Sequence, residues 1–180
     1  MTSTAAAAST LLVGLFYAFA GGVAARAVIR DTLLDAALDG LAARRPDPLV
    51  RERALWLFTG AAFVGASGLL LAISSLLAVP AFLISCLGQA AHFLVLSPRR
   101  YDREDPVDPA GRRRSLHAFR TYGLATAFVL WAGWSGALRA PGNGSPWPLA
   151  LVAAAWLIAS GWGLVQLRRV DRAFRSGGDP

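Results

Sequence analysis

The sequence predicts an all-α fold: a polytopic transmembrane helical bundle of five spans, amino end outside and carboxyl end in the cytoplasm. Three observations predict it. The 180-residue chain is 55% apolar and only 16% charged, against about a quarter charged in ordinary soluble domains. Its charges are segregated, being nearly absent from 54–97, 121–138 and 140–167 and crowded between those stretches. A soluble helix needs one wet face, so a soluble protein of this size scatters charge along every helix. The basic residues, finally, gather in three separate stretches that can all lie on one side of a bilayer. By length the chain is a single domain, residues 1–180.

The first span is expected at about 6–28, within the apolar run 5–29. Its start holds no Lys or Arg, which argues against a cleaved signal peptide with a basic leading region. Beyond it Ile29, Leu33, Ala37 and Leu41 recur on one helical face, with Asp31, Asp35 and Asp39 on another. That pattern predicts an amphipathic extension at the headgroup surface. Asp47-Pro48 reads as an N-cap followed by proline at the first helical position.

From Ala54 to Leu96 no residue is charged. A hydrocarbon core of about 30 Å takes about 20 residues per helix, so this stretch holds two spans. Pro80 is the expected break, placing them at 54–77 and 80–97. Residues 98–120 form a polar loop with three prolines, after which Asp108-Pro109 caps a helix spanning 121–138. A short return capped by Ser145-Pro146 leads to the last span, 148–167.

Sidedness follows from arginine. The chain has 18 Arg and no Lys: five in 30–53, seven in 98–120 and four after Leu167, with Arg139 alone in the outer connections. Cytoplasmic segments carry this excess, so 30–53, 98–120 and 168–180 are expected inside. Abundant Ala, Arg and Gly without Lys match a GC-rich bacterial coding sequence, which places the expected location in a bacterial cytoplasmic (inner) membrane. The net charge of +7 is thus a topology signal. A basic patch alone supports only non-specific phosphate contact, and nucleic acid is not an expected partner.

Small residues allow helices to approach closely where lipid gives no hydrophobic drive for association. Three stripes qualify: Gly14, Ala18, Gly21 and Ala25; Ala61, Gly65, Gly68 and Ala72; and Ala155, Ala159 and Gly163. They serve a compact bundle or contact with another protein. Trp56, Trp147 and Tyr122 lie near predicted boundaries, as interfacial aromatics do.

The chemistry-bearing residues are few. Ser85, Gln89 and His92 share one face of the third span, where polar groups tend to point into the bundle. Interhelical hydrogen bonding is the simpler reading, ligand contact the sharper one. On the cytoplasmic face His117 and the run Arg112, Arg113 and Arg114 are the candidates, the arginines suited to anionic lipid headgroups. No cofactor is predicted. A haem b ligated by His92 and His117 is the alternative weighed, and depth opposes it, since His92 lies inside Pro98 and His117 outside Thr121. The acidic residues Asp102, Glu104, Asp105 and Asp108 share their loop with seven arginines and lack the spacing of a calcium loop; no metal site is predicted. Cys86 is the single cysteine, so no intrachain disulfide forms.

Asp39-Gly40-Leu41-Ala42-Ala43-Arg44 matches the D-G-x-x-A-R core of the CDP-alcohol phosphatidyltransferases. The rest of that pattern is absent. Arg53, Leu57 and Ala61 stand where it has Gly, Asp and Asp, and Ala36 where it has its upstream Asp. Without those carboxylates no metal site for a diphosphate can be built, and the match is fortuitous. Hydrolase and nucleotide-binding motifs are missing too. The expected function is therefore a non-enzymatic subunit, scaffold or assembly factor of a membrane complex. The expected partners are the bilayer, anionic headgroups, and other membrane subunits or copies of itself. A small-solute transporter or channel is the first alternative, although the spans hold no Asp or Glu for proton coupling. A haem- or quinone-linked redox subunit is the second.

Overall fold

The computed structural model describes residues 3–41, 48–101, 109–140 and 146–176. Among them are five helices and no strand: α1 (Ser3–Leu41), α2 (Pro48–Ala72), α3 (Ala78–Ala91), α4 (Pro109–Trp134) and α5 (Trp147–Ser176). The all-α expectation holds. Four helical segments are long and apolar enough to cross a membrane: Thr4–Leu41, Pro48–Ala72, Ala78–Tyr101 and Trp147–Gln166. The helix α4 is of similar length, but Arg112, Arg113, Arg114 and Arg120 occupy its first half and leave a shorter apolar part.

The boundaries differ from the sequence expectation in instructive places. Between α2 and α3 the chain turns at 73–77, before Pro80, which sits inside the first turn of α3. There its missing N–H is one of those that a helix start leaves unused in any case. The helix is stopped instead by Ser74, whose φ of 54° is left-handed. Ser74 N–H donates to the Leu71 carbonyl at 2.8 Å and Ser75 N–H to Leu70 at 3.0 Å, a Schellman C-cap. The same cap ends α4 at Trp134 rather than near Leu138. Gly136 (φ 73°) takes the left-handed position and Ala137 N–H reaches the Ala132 carbonyl at 3.0 Å.

These two capped ends lie side by side. Leu76 N–H donates to the Arg139 carbonyl at 2.8 Å and Arg139 N–H to the Ser74 carbonyl at 2.7 Å. The α2–α3 turn and the segment after α4 therefore share one end of the bundle. Thr10 of α1 is buried there, its hydroxyl 3.5 Å from that of Ser74. At the opposite end α3 does not stop at Pro98. It continues in a ten-residue π-helical stretch, His92–Tyr101. A proline ring clashes with the carbonyl four residues back in an α-helix; the wider π winding carries the helix past it. Asp47 and Ser145, the other expected caps, fall outside the described residues, as do Asp102, Glu104, Asp105 and Asp108.

The core is built on α1 against α2, the most extensive helix pair. Two of the three small-residue stripes meet there, antiparallel. A Cβ added at Gly21 would stand 2.6 Å from the Gly65 Cα and 2.7 Å from the Ala61 carbonyl; one at Gly14 would stand 2.7 Å from the Ala72 Cα. Gly68 fits in the same way, 2.7 Å from the Gly14 carbonyl. Only hydrogen can occupy these positions. Beside this seam α3 and α4 close around an aromatic cluster, where Tyr122 stacks on Phe82 (5.3 Å, 11°) and Tyr17 meets both edge-on. Tyr122 is thus a core residue rather than an interfacial one, its hydroxyl 3.2 Å from Ser67 Oγ.

The third stripe behaves differently. Gly163 is buried under the Phe58 ring, but Ala155 and Ala159 are exposed. The face α5 turns inward carries Val152, Trp156 and Gly163, and the Trp156 indole N–H donates to the Ala62 carbonyl at 3.2 Å.

The α1–α2 seam generates a paired prediction. Gly21→Ala should cost on the order of 1–3 kcal/mol, because the helices must separate to admit a methyl group. Gly65→Ala should be nearly neutral, since a Cβ there meets nothing closer than 3.7 Å. Reversible unfolding in mixed micelles measures both, and equal losses would contradict this packing.

Candidate functional site

Ser85, Gln89 and His92 lie on one face of α3 and its π-helical continuation, as their spacing requires, and that face looks toward α2. Ser85 is buried, and Gln89 Nε2 donates to its hydroxyl at 3.4 Å. His92 is buried at 7% exposure, its ring parallel to the Trp56 indole (centroids 6.4 Å, 17°) and tilted against Tyr101 at 5.9 Å.

These three side chains form one wall of a cleft of about 360 Å³ between α2 and α3. The facing wall is α2, with Trp56, Thr59, Gly60 and Phe63; Ala24 of α1 forms the floor. The cleft lies between two links that hold α2 and α3 together at their ends. The 73–77 turn joins them at one end. At the other, Glu52 accepts a hydrogen bond from the Tyr101 hydroxyl at 3.2 Å and pairs with Arg100 at 2.9 Å. This pair is half exposed, so its contribution is at most about 1 kcal/mol; its role is to set where the π-helical segment ends. No lining residue carries a formal charge.

Two glycines shape the cleft, Gly60 on one wall and Gly88 on the other. A Cβ at either would meet nothing within 4 Å, unlike one at Gly14, Gly21 or Gly68. Glycine is about 1 kcal/mol less favourable than alanine in a helix interior, and helix approach does not explain it here. Gly22, Gly123 and Gly161 also meet open space, so openness alone marks nothing. Gly60 and Gly88 are distinguished by lining one cleft, the first on α2 and the second on α3. No periodicity reveals them in advance.

The remaining candidates are not drawn into this site. Phe93 packs on Phe119 at 5.9 Å and Val79 on Gly133, so α3 and α4 run antiparallel with residues near 120 at the depth of His92. The depth offset between His92 and His117 is therefore about three residues, roughly 4–5 Å, smaller than the sequence spacing predicts. What separates the two imidazoles is direction. Two residues from Phe119, His117 is turned about 200° away from α3 and is exposed, whereas His92 faces α2. Arg112, Arg113 and Arg114 are exposed on the first turns of α4. Among the described residues no group of three or more His, Cys, Asp or Glu comes together.

The open environment of Gly60 and Gly88 predicts that Gly60→Ala and Gly88→Ala each leave stability unchanged or raise it, by up to about 1 kcal/mol. The same micelle unfolding assay applies, and a loss like that of Gly21→Ala would show the cleft to be closed in solution. Neither a family model, nor a curated protein, nor a solved structure matches this chain.

Proposed function

We propose that the chain is a multi-pass protein of a bacterial cytoplasmic membrane that acts as a non-enzymatic subunit or scaffold of a membrane complex. The observation that carries this reading is the form of α1. At about 1.5 Å per residue its 39 residues extend roughly 58 Å, nearly twice a hydrocarbon core of about 30 Å. Its last dozen residues lie at the arginine-rich end, side by side with the start of α2, and Leu34, Leu38 and Leu41 on them are exposed, Leu41 to 87%. A rigid rod with leucines at three- and four-residue spacing suits a groove or helix of another protein. The neighbouring arginines of α4 suit anionic headgroups, which would seat the collar of helix ends on the inner leaflet.

In this reading α4 completes a fifth span, since its apolar half packs within the bundle between α3 and α1. The amino end lies outside with the 73–77 turn and Arg139, and the arginine-rich ends lie inside. Accessibility labelling tests the sidedness. In a Cys86→Ala background, Arg113→Cys should react only after the membrane is permeabilised, and Thr4→Cys should react in intact cells. The reverse pattern would invert the topology.

Purification in a gentle detergent tests the function. The chain should be recovered with a stoichiometric membrane-protein partner, and the triple change Leu34→Gln, Leu38→Gln, Leu41→Gln should release that partner without altering helicity. Recovery of the native chain alone and monomeric would overturn the subunit reading.

A further inference from the structure

We propose that the cleft between α2 and α3 binds a neutral amphiphile dissolved in the bilayer, with a flat hydrogen-bonding ring as its head: the chemistry of a quinone. Access comes first. None of the cleft's lining residues belongs to α4 or α5, so in a membrane-spanning bundle neither helix forms a wall between it and lipid. A ligand enters by lateral diffusion and leaves its tail in the acyl-chain region.

The lining selects the head. With no charged residue on the walls, an ionic head would be desolvated without a counter-charge. An acyl chain suits the apolar part of the walls but would leave the second N–H and the carbonyl of Gln89 without a partner. Gln89 uses one amide proton on Ser85, leaving its second N–H and its carbonyl for the cleft. Thr59 donates its hydroxyl proton to the Leu55 carbonyl at 2.8 Å and so offers lone pairs only. A ring carbonyl accepts from Gln89; a ring hydroxyl, as in the reduced form, donates to Gln89 or Thr59. Both forms are neutral. The Trp56 indole, which lines the cleft and is 43% exposed with the His92 ring parallel to it, supplies a flat surface on which such a head stacks.

The pair of glycines keeps the space open. Each stands where any larger residue would project into the cleft and nothing else would obstruct it. The volume of about 360 Å³ falls at the small end of ligand pockets, of roughly 300–1,000 Å³, which suits a single ring and a few tail carbons.

The test uses the full chain in phosphatidylcholine nanodiscs, titrated with decylubiquinone and followed by quenching of tryptophan fluorescence. Saturable quenching is expected above the linear background of partition into lipid. Gly88→Leu, which fills the cleft, and Gln89→Leu, which removes the hydrogen bonds, should each raise Kd about tenfold or more. If Gly88→Leu does not fold, Gly88→Ala should still raise Kd while retaining or raising the unfolding temperature, a combination that general damage does not produce. Quenching that stays linear, or a Kd unchanged in Gly88→Ala and Gln89→Leu, would overturn the proposal. Displacement of the quinone by an equimolar amount of phosphatidylglycerol would also overturn it, in favour of a lipid seat.

Discussion

Everything else in this molecule is arranged around the backbone-to-backbone approach of α1 and α2. Gly14, Gly21 and Gly68 sit so close to the facing helix that an added Cβ would overlap its main chain. Lipid tails are as apolar as leucine, so helix association in a bilayer draws on packing density and not on escape from water. Close approach maximises that density along a long seam. It also makes α2 the hub against which α3 and α5 pack, while α4 meets α1 at Tyr17, whose ring packs on Tyr122 and whose hydroxyl donates to the Thr121 carbonyl at 3.2 Å.

A rigid pair at the centre allows looseness beside it. Because α1 already holds α2, the contact between α2 and α3 need not be continuous. It is made at the 73–77 turn, in the core around Leu71 and Phe82, at the Trp56–His92 stack and at Glu52, and it gapes beside these contacts. The hydrogen bonds joining Ser74, Leu76 and Arg139 fix the relative height of the two helical hairpins without any side chain. The Ser85–Gln89–His92 face is consequently held at a fixed depth and orientation, yet it is not filled by a neighbouring helix. Tight packing on one side of α2 and an open wall on the other are two consequences of one constraint.

Much of this was legible in the sequence where the signal is periodic. The stripes Gly14–Ala25 and Ala61–Ala72 announce themselves by four- and three-residue spacing, and they do pair. The polar face of α3 is readable for the same reason. Periodicity does not say which stripe meets which, nor that Ala155 and Ala159 stay exposed while Trp156 faces inward, because a small residue permits contact without compelling it. Pro80 misleads because proline is tolerated at a helix start as readily as it breaks a helix. The real stop, Ser74, is a left-handed residue of a type with no strong sequence signature. Tyr122 misleads similarly: an aromatic near a boundary suits the interface and the core equally, until Ser67 supplies a partner for its hydroxyl.

Histidine shows what the three-dimensional arrangement adds. From spacing alone, His92 and His117 flank one loop and differ in depth, which sets the terms for a shared ligand as a matter of height. The antiparallel register, fixed by Phe93 on Phe119, shrinks the height difference to about one helical turn and adds a difference of bearing. An α-helix turns about 100° per residue, so a side chain two positions from a buried one points nearly the opposite way. His117 is thereby committed to the outer face of α4, with the arginines. His92 is committed to the cleft, alongside Trp56. The two residues most suggestive of a common site in the sequence therefore serve different surfaces. The chemistry within the bundle gathers instead around Gln89 and the glycines that leave room beside it.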